Sequence, residues 1–384
     1  MGNIGLVLSG GGARAAYQVG AVRALSEIWG SGPAPFNIYA GLSAGAINCT
    51  SLASNSDNFA EAARILTETW MALHPNAVYR TEARTLASLG LRWMKDLTVG
   101  GLVGVSQVNY LLDTSPLREL LGKRIDFARI PTLIEAGTVR GVAVSATNYM
   151  SGTIVTTFDG APAIKPWLRT GRIAVRGQVR LDHVMASAAI PLFFPPVVVD
   201  GNAYADGGVR MTTPTSPAIH LGADKIVAIG IRYAHTPEQT QTQNREAASP
   251  HVTVAQIGGA LLNALFLDSL DDDLERLARV NRTLDLIPAE TRRTHPDLLR
   301  KIPALLLRPS RDLGRLAASE YERFPAMLRH LLRGTGATGE SGWDLVSYLA
   351  FQPGYVGSLI ELGYADTLHR RSEIEAFLAD SSGA

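Results

Sequence analysis

The run Phe36-Asn37-Ile38-Tyr39-Ala40-Gly41-Leu42-Ser43-Ala44-Gly45 decides how the chain is to be read. Residues 36–40 form a short apolar strand. Gly41-Leu42-Ser43-Ala44-Gly45 matches G-x-S-x-G, and residues 44–54 continue with a helix-like pattern. A serine on a sharp strand-to-helix turn takes a strained backbone that lifts its hydroxyl clear of a sheet. Side chains two residues to either side would collide with that turn, so glycine is needed at positions 41 and 45. The following helix aims its first amides at the same spot, which favours negative charge developing there.

Toward the N-terminus, Ile4 to Leu8 is an apolar run bounded by glycines and reads as a buried strand. Ser9-Gly10-Gly11-Gly12-Ala13-Arg14 follows and opens a helix over residues 13–28, with Tyr17, Val19, Ala21, Val22 and Leu25 carrying its periodicity. Three consecutive glycines free several N–H groups to converge, a nest suited to a phosphate or an oxyanion. Residues 10–15 also fit the dinucleotide fingerprint G-x-G-x-x-A. That fingerprint expects an acid at the end of the second strand, where this chain has Gly41 and Ser43, so nucleotide binding is discounted. Strand, helix, strand, helix in this order predicts an α/β sheet whose first strands are parallel.

Toward the C-terminus, strands are expected at residues 141–147, 153–158, 197–200 and 225–231, the last fully buried. Asp206-Gly207-Gly208 follows the third of these; alone, Asp-Gly is an ordinary turn dipeptide. Residues 235–250 are polar and read as a loop. From Val252 the pattern is helical, with Ile257, Leu261, Leu262, Leu265 and Phe266 on one face. The expected organisation is an α/β catalytic domain over residues 4–235, a polar linker over 236–251, and a helical C-terminal region over 252–384 packed on or capping the first.

Of the 384 residues, 46% are hydrophobic, enough for a sizeable core. Lys plus Arg number 36 against 35 for Asp plus Glu, and a net charge of +1 argues against nucleic acid held by bulk charge. A single cysteine, Cys49, excludes a disulfide scaffold and a cysteine-based zinc site. No basic segment precedes a long apolar one, and no uninterrupted apolar run reaches about 18 residues, so neither a signal peptide nor a spanning helix is expected. The expected location is the cytoplasm, with peripheral contact at a membrane.

Taken in order, Gly10-Gly11-Gly12-Ala13-Arg14, Gly41-Leu42-Ser43-Ala44-Gly45 and Asp206-Gly207-Gly208 resemble the patatin-like phospholipases over roughly residues 5–232. Ala186-Ser187-Ala188-Ala189-Ile190-Pro191 with Phe194-Pro195-Pro196 is similar to a further stretch typical of that family. Pro309-Ser310-Arg311-Asp312 and Leu362-Gly363-Tyr364-Ala365-Asp366 resemble C-terminal parts of its bacterial members. Ala15 stands where the family often has glycine.

The resemblance implies a three-layer α/β sandwich with a central, mostly parallel sheet and a helical C-terminal extension. It implies a lipid acyl hydrolase of phospholipase A, lysophospholipase or esterase type, with Ser43 as nucleophile and Asp206 as base. Gly41, Gly45, Gly207 and Gly208 are the motif glycines. Gly10, Gly11, Gly12, Ala13, Arg14 and Ala44 would supply the oxyanion hole. The substrate would be a phospholipid or other lipid ester, with no metal, organic cofactor or nucleic acid. An acyltransferase using the same acyl-enzyme and a non-catalytic lipid-binding module are the other readings.

A carboxylate of ordinary pKa, about 3.9, is a weak base toward an alcohol, so the site must supply the rest. Of the eight histidines, a Ser, Asp, His order would nominate His220, which reads as a helix-end or packed residue, as does His183. Arg14 would meet a lipid phosphate or pair at the surface. Asp268, Asp271, Asp272, Asp273 and Glu275 lack the calcium-loop glycine and read as a solvated helix face. Cys49 reads as a small core residue. Residues 89–103, with Leu89, Trp93 and Leu97, read as core or as a lid over an acyl pocket. The basic excess over residues 292–333 reads as a solvated face or a contact for anionic lipid.

Overall fold

β1 (Ile4–Leu8) runs through the middle of a sheet and is buried along its whole length. Leu6 and Leu8 point into one core and Val7 into another. A strand covered on both faces needs a continuous apolar run, which is what the sequence has there. In the computed structural model, the described residues are 2–80, 110–246, 252–288, 290–291, 300–324, 329–330, 333–336 and 342–380. The apolar stretch 89–103 lies outside them.

A 3₁₀ turn, Gly12–Ala15, leads into α1 (Ala16–Trp29). β2 (Ile38–Leu42) then lies parallel to β1 and runs straight into α2 (Ala44–Ala53), followed by α3 (Phe59–Met71). α4 (Ser115–Arg124) precedes β3 (Gly141–Asn148), β4 (Ile154–Gly160), β5 (Leu168–Arg169) and β6 (Arg172–Arg176). α5 (Leu181–Ser187) leads to the hairpin of β7 (Val197–Val199) and β8 (Asn202–Asp206), and α6 (Ser216–Leu221) to β9 (Lys225–Ile229). The last third holds α7 (Val254–Phe266), α8 (Asp268–Asp285), β10 (Ala304–Leu307), α9 (Leu313–Ala317), α10 (Trp343–Leu349), α11 (Pro353–His369) and α12 (Arg371–Ala379).

The strands stand in the order β10-β9-β1-β2-β3-β4-β6-β5. β10, β9, β1, β2 and β3 are mutually parallel, while β4 is antiparallel to β3. α1, α2, α3 and α11 cover one face; α6 and α8 cover the other. The architecture is the expected three-layer α/β arrangement. Among the described residues, no helix is long and apolar enough to cross a membrane.

Three expectations need correction. The C-terminal region is not purely helical: β10 extends the sheet, with Ala304 opposite Ile226 and Leu307 opposite Ile229. Its apolar run is confined between Pro303 and Pro309, too short for a helix and suited to the open edge of β9. Residues 235–250 are not all loop, because Pro237–Glu246 is helical. Thr236 and Gln239 start that helix by reciprocal bonds: Gln239 N donates to Thr236 Oγ1 at 3.2 Å, and Thr236 N to Gln239 Oε1 at 2.9 Å. The acidic run is not wholly solvated. Asp273 is buried and accepts from the amide and hydroxyl of Thr215 at 3.0 and 2.5 Å. In the basic run, Arg300, Lys301, Arg308 and Arg329 each have a carboxylate partner.

The C-terminal elements dock without intervening side chains. A methyl group on Gly20 of α1 would lie 1.8 Å from the carbonyl oxygen of Ile360 in α11, and one on Gly363 would lie 2.0 Å from that of Tyr17. Lys225 Nζ closes the end of α12 by donating to the carbonyls of Phe377, Leu378 and Asp380 at 2.7–3.0 Å. Gly20→Ala should therefore cost about 3 kcal/mol by forcing the two helices apart. Gly357→Ala on α11, where nothing lies within 4 Å, should be neutral or slightly stabilising. Urea unfolding of both variants checks this, and equal midpoints would contradict the described packing.

Candidate active site

Ser43 sits where β2 becomes α2, with φ 53° and ψ −128°, a left-handed conformation that is costly for a residue with a Cβ. It occupies the N-cap position of α2, yet its hydroxyl makes no capping bond. Its amide instead donates to Ser187 Oγ at 2.9 Å, and Ser187 Oγ donates to the Ser145 carbonyl at 2.6 Å. The turn is thereby pinned to β3, and the serine hydroxyl is left for other work. A methyl on Gly41 would lie 2.5 Å from the Gly45 carbonyl, and one on Gly45 would lie 2.2 Å from the Leu8 carbonyl. Both glycines are thus required by backbone contact.

Asp206 ends β8, opposite Ala146 of β3, while Leu42 of β2 lies opposite Ser145. Serine and carboxylate therefore come together near the carboxyl end of β3, delivered by β2 and β8, which pair in succession along the same side of it while β4 occupies the other. Asp206 N donates to the Ala189 carbonyl at 2.8 Å, and Thr147 Oγ1 donates to the Asp206 carbonyl at 3.0 Å. The carboxylate is fully buried, with Oδ1 accepting from Gly208 N at 2.8 Å. Oδ2 has no hydrogen bond of regular geometry. Burial pushes the Asp206 carboxyl up to about 7; the Ser43 hydroxyl and the Gly208 amide pull the other way without cancelling it. Gly207 and Gly208 are forced by crowding: a methyl on Gly207 would lie 2.3 Å from the Ser145 carbonyl, and one on Gly208 would lie 2.6 Å from Phe266.

The glycine-rich turn flanks the serine. A methyl on Gly10 would lie 2.9 Å from Ser43 Cβ, and Gly11 and Gly12 have φ 154° and 54°. The amides of Gly11, Gly12 and Ala13 donate to no protein acceptor among the described residues. Arg14 departs from expectation. Its amide is spent on the Gly11 carbonyl at 3.1 Å, so it is no free donor. Its side chain is neither at the surface nor open to a lipid phosphate. It is 3% exposed, pairs with Asp344 at 2.7 Å and donates to Ser347 Oγ at 2.7 Å. Beneath the turn, Gln18 Nε2 donates to the Ser9 carbonyl at 2.8 Å and Gln18 Oε1 accepts from Asn48, whose Oδ1 accepts from Trp70.

Gly12, Ser43 and Ala44 border a cavity whose other walls are almost wholly apolar: Ile47, Trp70, Leu73, Leu117, Leu121, Ile190, Phe194 and Phe351 among them. His220 is not there. Its Nδ1 lies 2.8 Å from the Ser216 carbonyl and its ring stacks on Trp167 at 4.6 Å. His183 Nδ1 accepts from the Arg180 amide at 3.0 Å, so it too serves a helix start. Cys49 is buried, and burial raises its thiol pKa far above the usual range. Among the described residues, no group of three His, Cys, Asp or Glu side chains could hold a metal. Ser187, Thr147 and Phe266 carry the geometry but were given no site role from sequence: the first lay in the small-residue stretch 186–191, the second at the end of an expected strand and the third on an apolar helix face.

The cavity beside the serine is small, about 30 Å³, and apolar. The chain belongs to the patatin-like phospholipase family, whose sequence profile matches residues 6–219 and so includes Ser43 and Asp206. Among solved structures it is similar to VipD from Legionella pneumophila (13% identity, TM-score 0.38, covering 97% of this chain and 67% of that one). It is also similar to human GIVD cytosolic phospholipase A2 in complex with methyl gamma-linolenyl fluorophosphonate (12% identity, TM-score 0.40, covering 98% and 59%). No curated protein matches the sequence significantly.

The raised Asp206 pKa has a consequence for stability. Between the ordinary carboxylate range and about 7, the folded state holds a proton that the unfolded state has released, so this group's contribution falls as pH rises through that window. Asp206→Asn should therefore raise the unfolding midpoint relative to wild type at pH 8 and lose that advantage near pH 4. Thermal unfolding at the two pH values tests it; an unchanged or lower midpoint at pH 8 would count against a strained buried carboxylate.

Proposed function

We propose that the protein hydrolyses an acyl ester of a lipid through an acyl-enzyme on Ser43, with Asp206 as base. The observation that carries this is a strained serine, its hydroxyl not used to cap the following helix, beside a fully buried carboxylate that it stabilises. Asp206 accepts the hydroxyl proton as Oγ attacks the ester carbonyl, and the proton passes to the departing alcohol. A water then attacks the acyl-enzyme, again giving its proton to Asp206, which passes it to Ser43 Oγ as the acyl C–O bond breaks and the acid leaves. The negative charge on the carbonyl oxygen is met by the amides of Gly11, Gly12, Ala13 and Ala44 at the start of α2. Each such donor is typically worth about 3 kcal/mol of transition-state stabilisation. Desolvation makes Asp206 a stronger base than an ordinary carboxylate, so no histidine is required.

The base must be ionised, so turnover should rise with pH through about 7 and fade below it. A fluorophosphonate probe should label the wild type at Ser43 and leave Ser43→Ala unlabelled, and hydrolysis of a lipid panel should fall about 1,000-fold or more in Ser43→Ala and Asp206→Asn. Undiminished hydrolysis in Ser43→Ala would reject the mechanism. Ester products formed with an added alcohol in place of free acid would redirect the reading to acyl transfer.

Contact with a lipid surface is supported by α7. This helix contains no charged residue. Its inner side brings Phe266 against Gly10 and Gly208, while Val254, Ile257 and Leu261 on its outer side are more than half exposed. Such a face suits the boundary between headgroups and acyl chains. Replacing Ile257 and Leu261 together by Glu should depress hydrolysis of vesicle-borne lipid and spare a short, water-soluble ester. Equal loss on both substrates would mean the face is structural.

A further inference from the structure

We propose that Asp344 is a positioning residue for the proposed oxyanion-binding turn, acting through Arg14; the inference rests on the serine-hydrolase reading above. The turn itself carries little that fixes its shape. Gly11 and Gly12 have no Cβ and both have positive φ, a region with several alternatives open to glycine alone. Beyond Gln18, which holds Ser9 at its start, what fixes it comes from α7 and α10. Arg14 closes the turn through its amide to the Gly11 carbonyl at 3.1 Å, so where Arg14 sits decides where the Gly11–Gly12 peptide points.

The Arg14 guanidinium is buried and held by residues of α7 and α10. Nε donates to Ser347 Oγ at 2.7 Å, Nη2 to Asp344 Oδ1 at 2.7 Å and Nη1 to Asn263 Oδ1 at 3.3 Å. Its face lies over the Tyr348 ring at 4.3 Å. Tyr348 also presses its carbonyl on the turn, since a methyl on Gly12 would lie 2.3 Å from that oxygen. Ser347, Asn263 and Tyr348 are neutral. Among the described residues, Asp344 is the one carboxylate paired with Arg14. A buried guanidinium whose counter-charge is removed seeks water or another anion. The backbone it anchors then moves with it, and a displacement of well under 1 Å at an oxyanion donor is enough to weaken it.

The Asp344 side chain is 46% exposed, and Asn keeps its shape and an acceptor oxygen, so Asp344→Asn should fold. An oxyanion donor acts only in the transition state. The variant should accordingly lose about 10-fold in kcat and in the rate of fluorophosphonate reaction at Ser43, with KM unchanged. Asp344→Glu should restore most of both. Steady-state kinetics on a soluble ester, probe-labelling rates and thermal unfolding of the three proteins test this. Wild-type kcat and labelling rate in Asp344→Asn would overturn the proposal while leaving Ser43 as nucleophile. A loss that matches the fraction unfolded, or one that Asp344→Glu shares in full, would also overturn it. A wild type that the probe does not label at Ser43 would remove the underlying reading, and the proposal with it.

Discussion

The site depends on main chain touching main chain. At Gly45 the helix after the serine lies against the Leu8 carbonyl; at Gly207 the turn after the aspartate lies against that of Ser145; at Gly12 the glycine-rich turn lies against that of Tyr348. The first two bring strand ends within reach of each other in the corner where β1, β2 and β3 end, and the third seats α10 on the turn after β1. A dense interior offers no slack for even one methyl group at these points. Backbone crowded this way still needs its hydrogen bonds. The Ser187 hydroxyl, bridging Ser43 N–H and Ser145 C=O, answers that need on one side, and Gln18 answers it for Ser9 on the other.

Two local penalties are concentrated in this corner. Ser43 holds a backbone conformation that a residue with a side chain avoids, and Asp206 is kept from water with one oxygen lacking a regular partner. Neither could persist in a loose structure; the surrounding sheet and its helices leave no alternative arrangement. The same burial that disfavours the charged carboxylate makes it a better proton acceptor. Stability is given up at the site proposed to react, which is the usual relation between stability and activity.

The parts of this corner that were legible in the sequence are those whose physics is local. Gly41 answers the geometry of its own turn and the strands show as short apolar runs, whereas Gly45, Gly207 and Gly208 were marked by their motifs although Leu8, Ser145 and Phe266 supply the crowding. What could not be read depends on partners distant in the chain. Ser187 lies in a stretch that drew notice, but its role exists only once Ser43 and Ser145 stand beside it. Arg14 looks like a surface or ligand-binding charge until Asp344 and Ser347 are folded over it. Asp273 fits the acidic face of a helix by periodicity, and Thr215 arrives from another element to bury it. β10 was hidden for a related reason: four apolar residues carry no period of their own, and only the unpaired edge of β9 makes them a strand. The helix over Pro237–Glu246 is a different case, because its start signal at Thr236 and Gln239 is local and was masked by a Gln- and Thr-rich composition.

The docking of α11 onto α1 through Gly20 and Gly363 bears on how the protein is made. A nascent chain emerges from the ribosome N-terminus first, and its domains generally fold in that order. Here both halves of the reactive corner emerge before the groups that seal it, Ile360 against Gly20 and Tyr348 against Gly12. During that interval α1 lacks its cover, β9 presents a bare hydrogen-bonding edge, and Arg14 has no counter-ion. Such an edge invites pairing with other chains. A slow or interrupted translation thus leaves a species prone to aggregate, while the corner stays incomplete until those later segments are made.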